Sequence, residues 1–211
     1  MRILILGPFK QKIFKKFRIE ELIKFLEKDG NFIFHTDKKV NLNFLKRKKI
    51  EFIISNGYSY KLSPAIIKNY LNKAINLHNA YLPFGRGIGT NLFCLIRGIP
   101  TGISIHYMDN NWDTGPLLIR KKINPKKNET FRIFYLRLLK ETNLIFMKNW
   151  KHIKSQKIKK IKQEKKKIDT STRLRTEFML EYFNKSYDIE IREIIKFRDI
   201  FLNNEIFYEK L

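Results

Sequence analysis

Apolar and polar positions alternate along this chain in blocks of two different periods. Arg2–Leu6 is a short apolar run closed by Gly7-Pro8, the pattern of a buried strand followed by a turn. Ile19, Leu22, Ile23 and Leu26 share one helical face, and Asp29-Gly30 closes that helix. Asn31–His35 reads as a second strand, Val40–Lys49 as a short basic helix and Phe52–Ile54 as a third strand stopped by Ser55-Asn56-Gly57. Ser63-Pro64 is an N-cap with proline at the first helical position, opening a helix to about Tyr70. Ala74–Leu77 is a fourth strand. Strands alternating with helices at this spacing predict βαβ units and an open, mostly parallel, Rossmann-like α/β sheet flanked by helices.

The centre of the chain changes character. Between Asn76 and Gly115 lie most of the nine glycines and two of the four histidines, with far less lysine than in the flanks. Glycine-rich, charge-poor loops beside strand ends are where α/β proteins keep their chemistry. Thr90–Arg97 reads as a helix, Gly102–Met108 and Leu117–Ile123 as strands. From Asn128-Glu129-Thr130 a long helix follows, with Phe131, Phe134, Tyr135, Leu138, Leu139, Thr142, Ile145 and Phe146 on its buried face. Lys157–Lys167 reads as a solvated helix end or loop, and the last stretch as a small, partly irregular appendage. The expected organisation is a domain over residues 1–155 and a lysine-rich segment with appendage over 156–211.

Composition sharpens this only in part. At 211 residues the chain is one ordinary domain with an appendage, and 43% hydrophobic content supports a packed core. No apolar run approaches the roughly 18 residues of a transmembrane helix. The start MRILILGPFK is too short for a signal-peptide apolar region, so a cytoplasmic protein without membrane insertion is expected. One cysteine, Cys94, excludes an internal disulfide and a Cys-cluster zinc site. It lies on an apolar helix face with Leu92, Leu95 and Ile96, as a small hydrophobe would. No His/Asp/Glu cluster has metal-ligand spacing, so no metal is expected. Lys+Arg 44 against Asp+Glu 20 gives a net charge of +24. Either this attracts an anionic partner, or it reflects a composition in which Lys, Ile, Asn and Phe are all abundant.

The candidate chemistry begins at Asn76-Leu77-His78. Strand alternation puts Asn76 and His78 on one side and Leu77 on the other, at a carboxyl end of the sheet. A second loop, Asp109–Gly115, supplies Asp113. An Asn amide can donate to an oxyanion, a His can act as electrophile or proton donor, and an Asp can hold the imidazole or take a proton from an amine. On spacing alone the bland alternative stands beside this: Asn76 and His78 cap a strand and Asp113 closes a turn. His106 is read as a structural or supporting residue, and His35 and His152 as surface or core-edge groups. Gly85-Arg86-Gly87-Ile88-Gly89 does not follow the first strand and open a helix as a dinucleotide fingerprint should. A basic nucleic-acid-binding protein is the non-enzyme alternative, but the aromatics fall at buried helical spacing rather than among the lysines.

The stretch Ile75–Leu118 resembles the catalytic half of the folate-dependent formyltransferases, which include the methionyl-tRNA, glycinamide ribonucleotide and sugar N-formyltransferases. It carries Asn76, His78, Leu82-Pro83, Arg86-Gly87, Thr101-Gly102, His106, Met108-Asp109 and Asp113-Thr114-Gly115 in the family's order, with Ala80 where the family has Ser. The resemblance implies Asn76, His78 and Asp113 as catalytic residues, N10-formyltetrahydrofolate as formyl donor and a primary amine as acceptor. It implies a pterin site at Asn56, Gly57, Tyr58, Asp109 and Asn110, largely through backbone groups, and acceptor contacts from Tyr81, Arg86 and Trp112. The loop Gly7-Pro8-Phe9-Lys10 lacks the glycine- and serine-rich phosphate cradle of the purine-pathway enzyme. The residues after the long helix do not read as the C-terminal β-barrel of the tRNA enzyme. Tyr81–Gly87 with Asn91 is similar to the sugar N-formyltransferases. A nucleotide-linked amino sugar is therefore the expected acceptor, with methionyl-tRNA or another small amine as the alternative. Sugar N-formyltransferases are often homodimers, which makes the appendage a candidate interface.

Overall fold

The computed structural model describes residues 1–9, 16–126, 128–164 and 170–203. Lys10, Lys165–Lys167 and the last eight residues, on which some of these expectations fall, lie outside them.

Six strands form one sheet in the order β2-β1-β3-β4-β6-β7. These are β1 (Arg2–Leu6), β2 (Phe32–Thr36), β3 (Phe52–Ser55), β4 (Ala74–His78), β6 (Gly102–Tyr107) and β7 (Leu117–Lys122). β1 pairs in parallel with both β2 and β3, and β3 with β4. The chain therefore leaves β1 towards one edge and returns to its other side, which makes the carboxyl ends of β1 and β3 a topological switch point. β4 and β6 pair antiparallel, setting Asn76 opposite His106 and His78 opposite Ser104. β6 also runs against β7, since Tyr107 N–H donates to the Pro116 carbonyl and Ile123 N–H to the Thr101 carbonyl, and a sequence pattern does not disclose the reversal.

The connecting helices are α1 (Glu21–Lys28), α2 (Leu42–Arg47), α3 (Pro64–Asn69), α4 (Thr90–Arg97) and α5 (Phe131–Lys154). A single π-helical turn, Lys16–Glu20, runs into α1, so Ile19 belongs to that turn rather than to a regular helix. Asn41 caps α2 by accepting the Phe44 N–H, and Ser63 caps α3 by accepting the Ile66 N–H. The short strand β5 (Arg86–Gly87) pairs with β8 (Thr170–Ser171). Three further helices, α6 (Arg173–Tyr182), α7 (Ile191–Lys196) and α8 (Arg198–Leu202), follow. They are more regular than the appendage expected there. Tyr182, Phe183, Phe197 and Phe201 form a ring cluster among them, with Tyr182 and Phe201 centroids 4.9 Å apart.

These elements gather into two compact units. One comprises Met1–His78, Ser104–Ile119 and Leu139–Gln163; the other comprises Asn79–Ile103, Arg120–Leu138 and Glu164–Leu211. The division does not fall at residue 155, because chain segments from before and after the long helix return to each unit.

In the first unit, strand alternation separates two apolar layers. Ile3, Ile5, Phe52, Ile54, Ile75 and Leu77 face α1 and the second half of α5, where Phe146, Trp150 and Ile153 are buried. Leu4, Leu6, Ile53 and Ala74 face Leu45, Leu62, Ile66 and Ile67. Asn76 and His78 continue this second face beyond the helices that cover it. Trp150 is set edge-on to Phe52 at 5.4 Å, and its Nε1–H donates to Asp29 Oδ2 at 2.9 Å. Lys154 Nζ donates to the same oxygen at 2.8 Å. In the second unit, Glu129 accepts both guanidinium N–H groups of Arg137 at 2.7 Å and the Lys126 N–H at 2.8 Å. Burial would raise its pKa, but these donors outweigh it and hold the carboxyl below the ordinary value.

Phe146 is fully buried, so Phe146→Ala is expected to cost about 3–5 kcal/mol in urea unfolding. The hydrogen bonds from Lys154 and Trp150 lower the Asp29 pKa from 3.8 to about 2. The stability this lends is complete above the unfolded value and is lost as pH falls through the folded one. Lys154→Ala should therefore cost under about 1 kcal/mol at neutral pH, because the pair is partly exposed. It should also flatten the stability curve between pH 3.8 and about 2.

Candidate active site

The end of β4 carries two polar side chains on one face, and the antiparallel partner β6 adds a third. Asn76 Nδ2 donates to Asp113 Oδ1 at 3.1 Å and lies 3.3 Å from His106 Nε2. His106 Nδ1 is 2.8 Å from the Tyr107 carbonyl, which can only accept, so Nδ1 carries the proton. In the neutral ring Nε2 is then an acceptor, and both Asn76 amide hydrogens are directed, one to a carboxylate and one to an imidazole. His78 Nδ1 is 3.8 Å from Asp113 Oδ1, and His106 Nε2 is 3.5 Å from the same atom. The two imidazole rings meet edge-on, 6.2 Å apart. One carboxylate oxygen thus stands against an amide and two imidazoles. Asp113 and His106 are buried, whereas His78 is 11% exposed at the rim. His106 was not among the residues expected to act; its register opposite Asn76 brings it in.

The Asp109–Gly115 loop holds the carboxylate in place. Asp109 accepts the Asn111 N–H at 3.0 Å and the Thr114 hydroxyl at 2.7 Å, closing the loop on itself. Asp113 has a left-handed backbone, φ +54°, which aspartate adopts more readily than most residues. Gly115 passes so close to β6 that a Cβ there would lie 1.8 Å from the Tyr107 carbonyl oxygen. Gln163, which the lysine run hid, donates to the carbonyls of Asp113 and Gly115 at 3.0 and 2.7 Å. Asn110 and Trp112 are exposed on the same loop.

The loop after β3 is built differently. Asn56 is buried, accepts Arg18 Nη1 at 3.0 Å, and donates to the Arg18 carbonyl at 3.0 Å and to Asn143 Oδ1 at 3.4 Å. Its side chain therefore ties the π-turn to α5, and its own N–H donates to the Leu6 carbonyl at 2.8 Å. Gly57 has φ +78°, and a Cβ there would meet Arg18 Nη1 at 2.7 Å. Tyr58 donates to the Lys38 carbonyl at 2.9 Å and accepts the Val40 N–H at 3.3 Å, joining this loop to the one after β2. Burial raises its pKa, with the Val40 bond opposing.

Tyr81 and Arg86 lie in the second unit. The Arg120 guanidinium sits 4.8 Å from the Tyr81 ring centroid and donates to the Leu82 carbonyl at 3.0 Å. Arg86 lies in β5. Cys94 is buried and its thiol is pushed up to about 12 by desolvation, which makes it a packing residue rather than a nucleophile. His35 is half-buried against the Gly7 carbonyl, and His152 is exposed. Among the described residues, no group of three or more His, Cys, Asp or Glu side chains could hold a metal ion. Among the described residues, no helix is long and apolar enough to cross a membrane.

The sheet is open and mostly parallel, and Asn76, His78, His106 and Asp113 gather at the end of β4. Residues 34–149 match the family model described as formyl transferase, and the chain belongs to that family. It is similar to the formyltransferase PseJ from Anoxybacillus kamchatkensis, crystallised in complex with UDP-4,6-dideoxy-4-formamido-L-AltNAc and tetrahydrofolate. Identity is 30% and the TM-score 0.80, covering 92% of this chain and 98% of that one. Phosphoribosylglycinamide formyltransferase from Bacillus subtilis is 30% identical over 97 residues, 46% of this chain and 50% of the relative. GDP-perosamine N-formyltransferase from Brucella melitensis is 33% identical over 87 residues, 40% of this chain and 34% of the relative. The chain thus spans half or less of these curated relatives.

Because no side-chain movement relieves a backbone clash at Gly115, Gly115→Ala should cost about 1–3 kcal/mol by overpacking. The far-ultraviolet spectrum should stay native while the thermal midpoint falls. An unchanged midpoint would show that the loop does not press on β6 as described.

Proposed function

We propose that this chain transfers a formyl group from N10-formyltetrahydrofolate to the primary amine of a nucleotide-linked amino sugar. The observation that carries the reading is the convergence of Asn76, His78 and His106 on Asp113 Oδ1 within 3.1–3.8 Å. It supplies donors for an oxyanion beside an acceptor for a proton, which is what acyl transfer to an amine requires.

In this mechanism the neutral amine nitrogen attacks the formyl carbon and the carbonyl electrons move onto oxygen. His78, at the rim, donates to that oxyanion. Asn76 adds a second donor by turning towards it the hydrogen now given to His106, the longer of its two contacts. The buried Asp113 carboxylate counters positive charge developing on the attacking nitrogen. It relays a proton from that nitrogen towards N10, the C–N10 bond breaks, and a formamide and tetrahydrofolate are released. The pterin is proposed to lie against the backbone of Asn56-Gly57-Tyr58 and of the Asp109–Asp113 loop. The internally bonded Asn56 side chain is compatible with recognition through main-chain groups.

The acceptor class rests on two supports. PseJ, crystallised with a UDP-linked formamido sugar, matches nearly end to end. The loop Gly7-Pro8-Phe9 offers no glycine-rich phosphate cradle. A UDP-linked 4-amino sugar is the acceptor this favours.

Tetrahydrofolate formation from N10-formyltetrahydrofolate should appear with a UDP-linked amino sugar and not with glycinamide ribonucleotide or methionyl-tRNA. Asn76→Ala and His78→Ala should each lower kcat about 10²–10³-fold, the loss usual for one oxyanion donor. The KM for folate should stay within a few-fold. Full activity in either variant, or turnover with glycinamide ribonucleotide alone, would overturn the reading.

A further inference from the structure

We propose that Gln163 is a positioning residue for this reaction, acting through the Asp113 backbone; the inference rests on the formyl-transfer reading above. The segment after α5 returns along the active-site loop. Ile161 and Leu117 exchange both backbone hydrogen bonds, at 2.8 and 2.9 Å, in an antiparallel bridge. Two residues on, Gln163 is 7% exposed and gives one amide nitrogen to two carbonyls, those of Asp113 and Gly115. Those carbonyls flank Thr114, the residue whose hydroxyl closes the loop on Asp109. The amide thereby fixes both ends of the short turn that sets the left-handed Asp113 backbone. Both of these bonds are to the loop main chain, and the direction of Oδ1 towards Asn76 and both imidazoles depends on the torsion they hold. Aligned catalytic groups lose effectiveness steeply when displaced by about 1 Å, so a buried clamp on the main chain of Asp113 controls rate rather than affinity. Ile158, in the same segment, packs on the apolar layer and offers no hydrogen bond to the loop. It separates the clamp from mere anchoring of the segment.

The test compares the full-length protein with Gln163→Met, which keeps length and apolar bulk but has no donor, and with Ile158→Ala. Amide hydrogen exchange over residues 109–117 and steady-state kinetics are measured on each, with N10-formyltetrahydrofolate and the best acceptor. Gln163→Met should exchange faster in that loop. Its kcat should drop ten-fold or more while both KM values change less than about three-fold. Ile158→Ala should lose thermal stability and keep kcat within about two-fold. Wild-type exchange and kcat in Gln163→Met, or an equal fall in kcat for Ile158→Ala, would overturn the clamp. Failure of the wild-type protein to turn over any acceptor would instead overturn the formyl-transfer reading, and the exchange data would still show whether the loop is held by Gln163.

Discussion

Everything distinctive about this site depends on one buried carboxylate oxygen. Asp113 Oδ1 takes a hydrogen from Asn76 and stands 3.5–3.8 Å from two imidazoles. A carboxylate buried to this degree is costly unless its partners compensate it. Asn76 supplies one compensating bond directly. The same environment that keeps the anion buried makes it responsive to charge forming on an adjacent amine or imidazole, since the local dielectric is low.

The fold is arranged so that this oxygen is reachable. Parallel pairing of β1, β3 and β4 brings their carboxyl ends to one edge, and the reversal at β6 carries the chain back beside β4 before the Asp109–Gly115 loop. The loop survives so tight a return because Gly115 has no side chain to meet the Tyr107 carbonyl. On the other side of the sheet, Phe146, Trp150 and Ile153 seal β3 and β4 against α5. The strand ends are thus set by an apolar layer, and the polar groups are set by the strand ends.

Much of this was legible in the sequence. Period-two alternation placed Asn76 and His78 together with Leu77 in the core. The ordered run from Asn76 to Asp113-Thr114-Gly115 identified a family, because so many small motifs in sequence rarely coincide. What escaped was non-local. His106 looked like a supporting residue because nothing in a strand's own pattern gives its register opposite Asn76. Gln163 lay unseen in a lysine run because its role comes from the pairing of Ile161 with Leu117, partners separated by the whole of α5. Asn56 presents the opposite case. The family resemblance implied a pterin contact there, largely through backbone groups, and its side chain is bonded inwards to Arg18 and Asn143.

The central claim is that one carbon passes from folate to a sugar nitrogen at the Asn76–His78–Asp113 cluster. The most direct measurement follows a carbon-labelled formyl group from N10-formyltetrahydrofolate in the presence of a UDP-linked 4-amino sugar, with the products resolved by mass spectrometry and carbon NMR. The account predicts the label as an amide carbon on the sugar nitrogen, in equal amount to the tetrahydrofolate formed. Label recovered as free formate, or retained on the folate with the sugar unchanged, would contradict it.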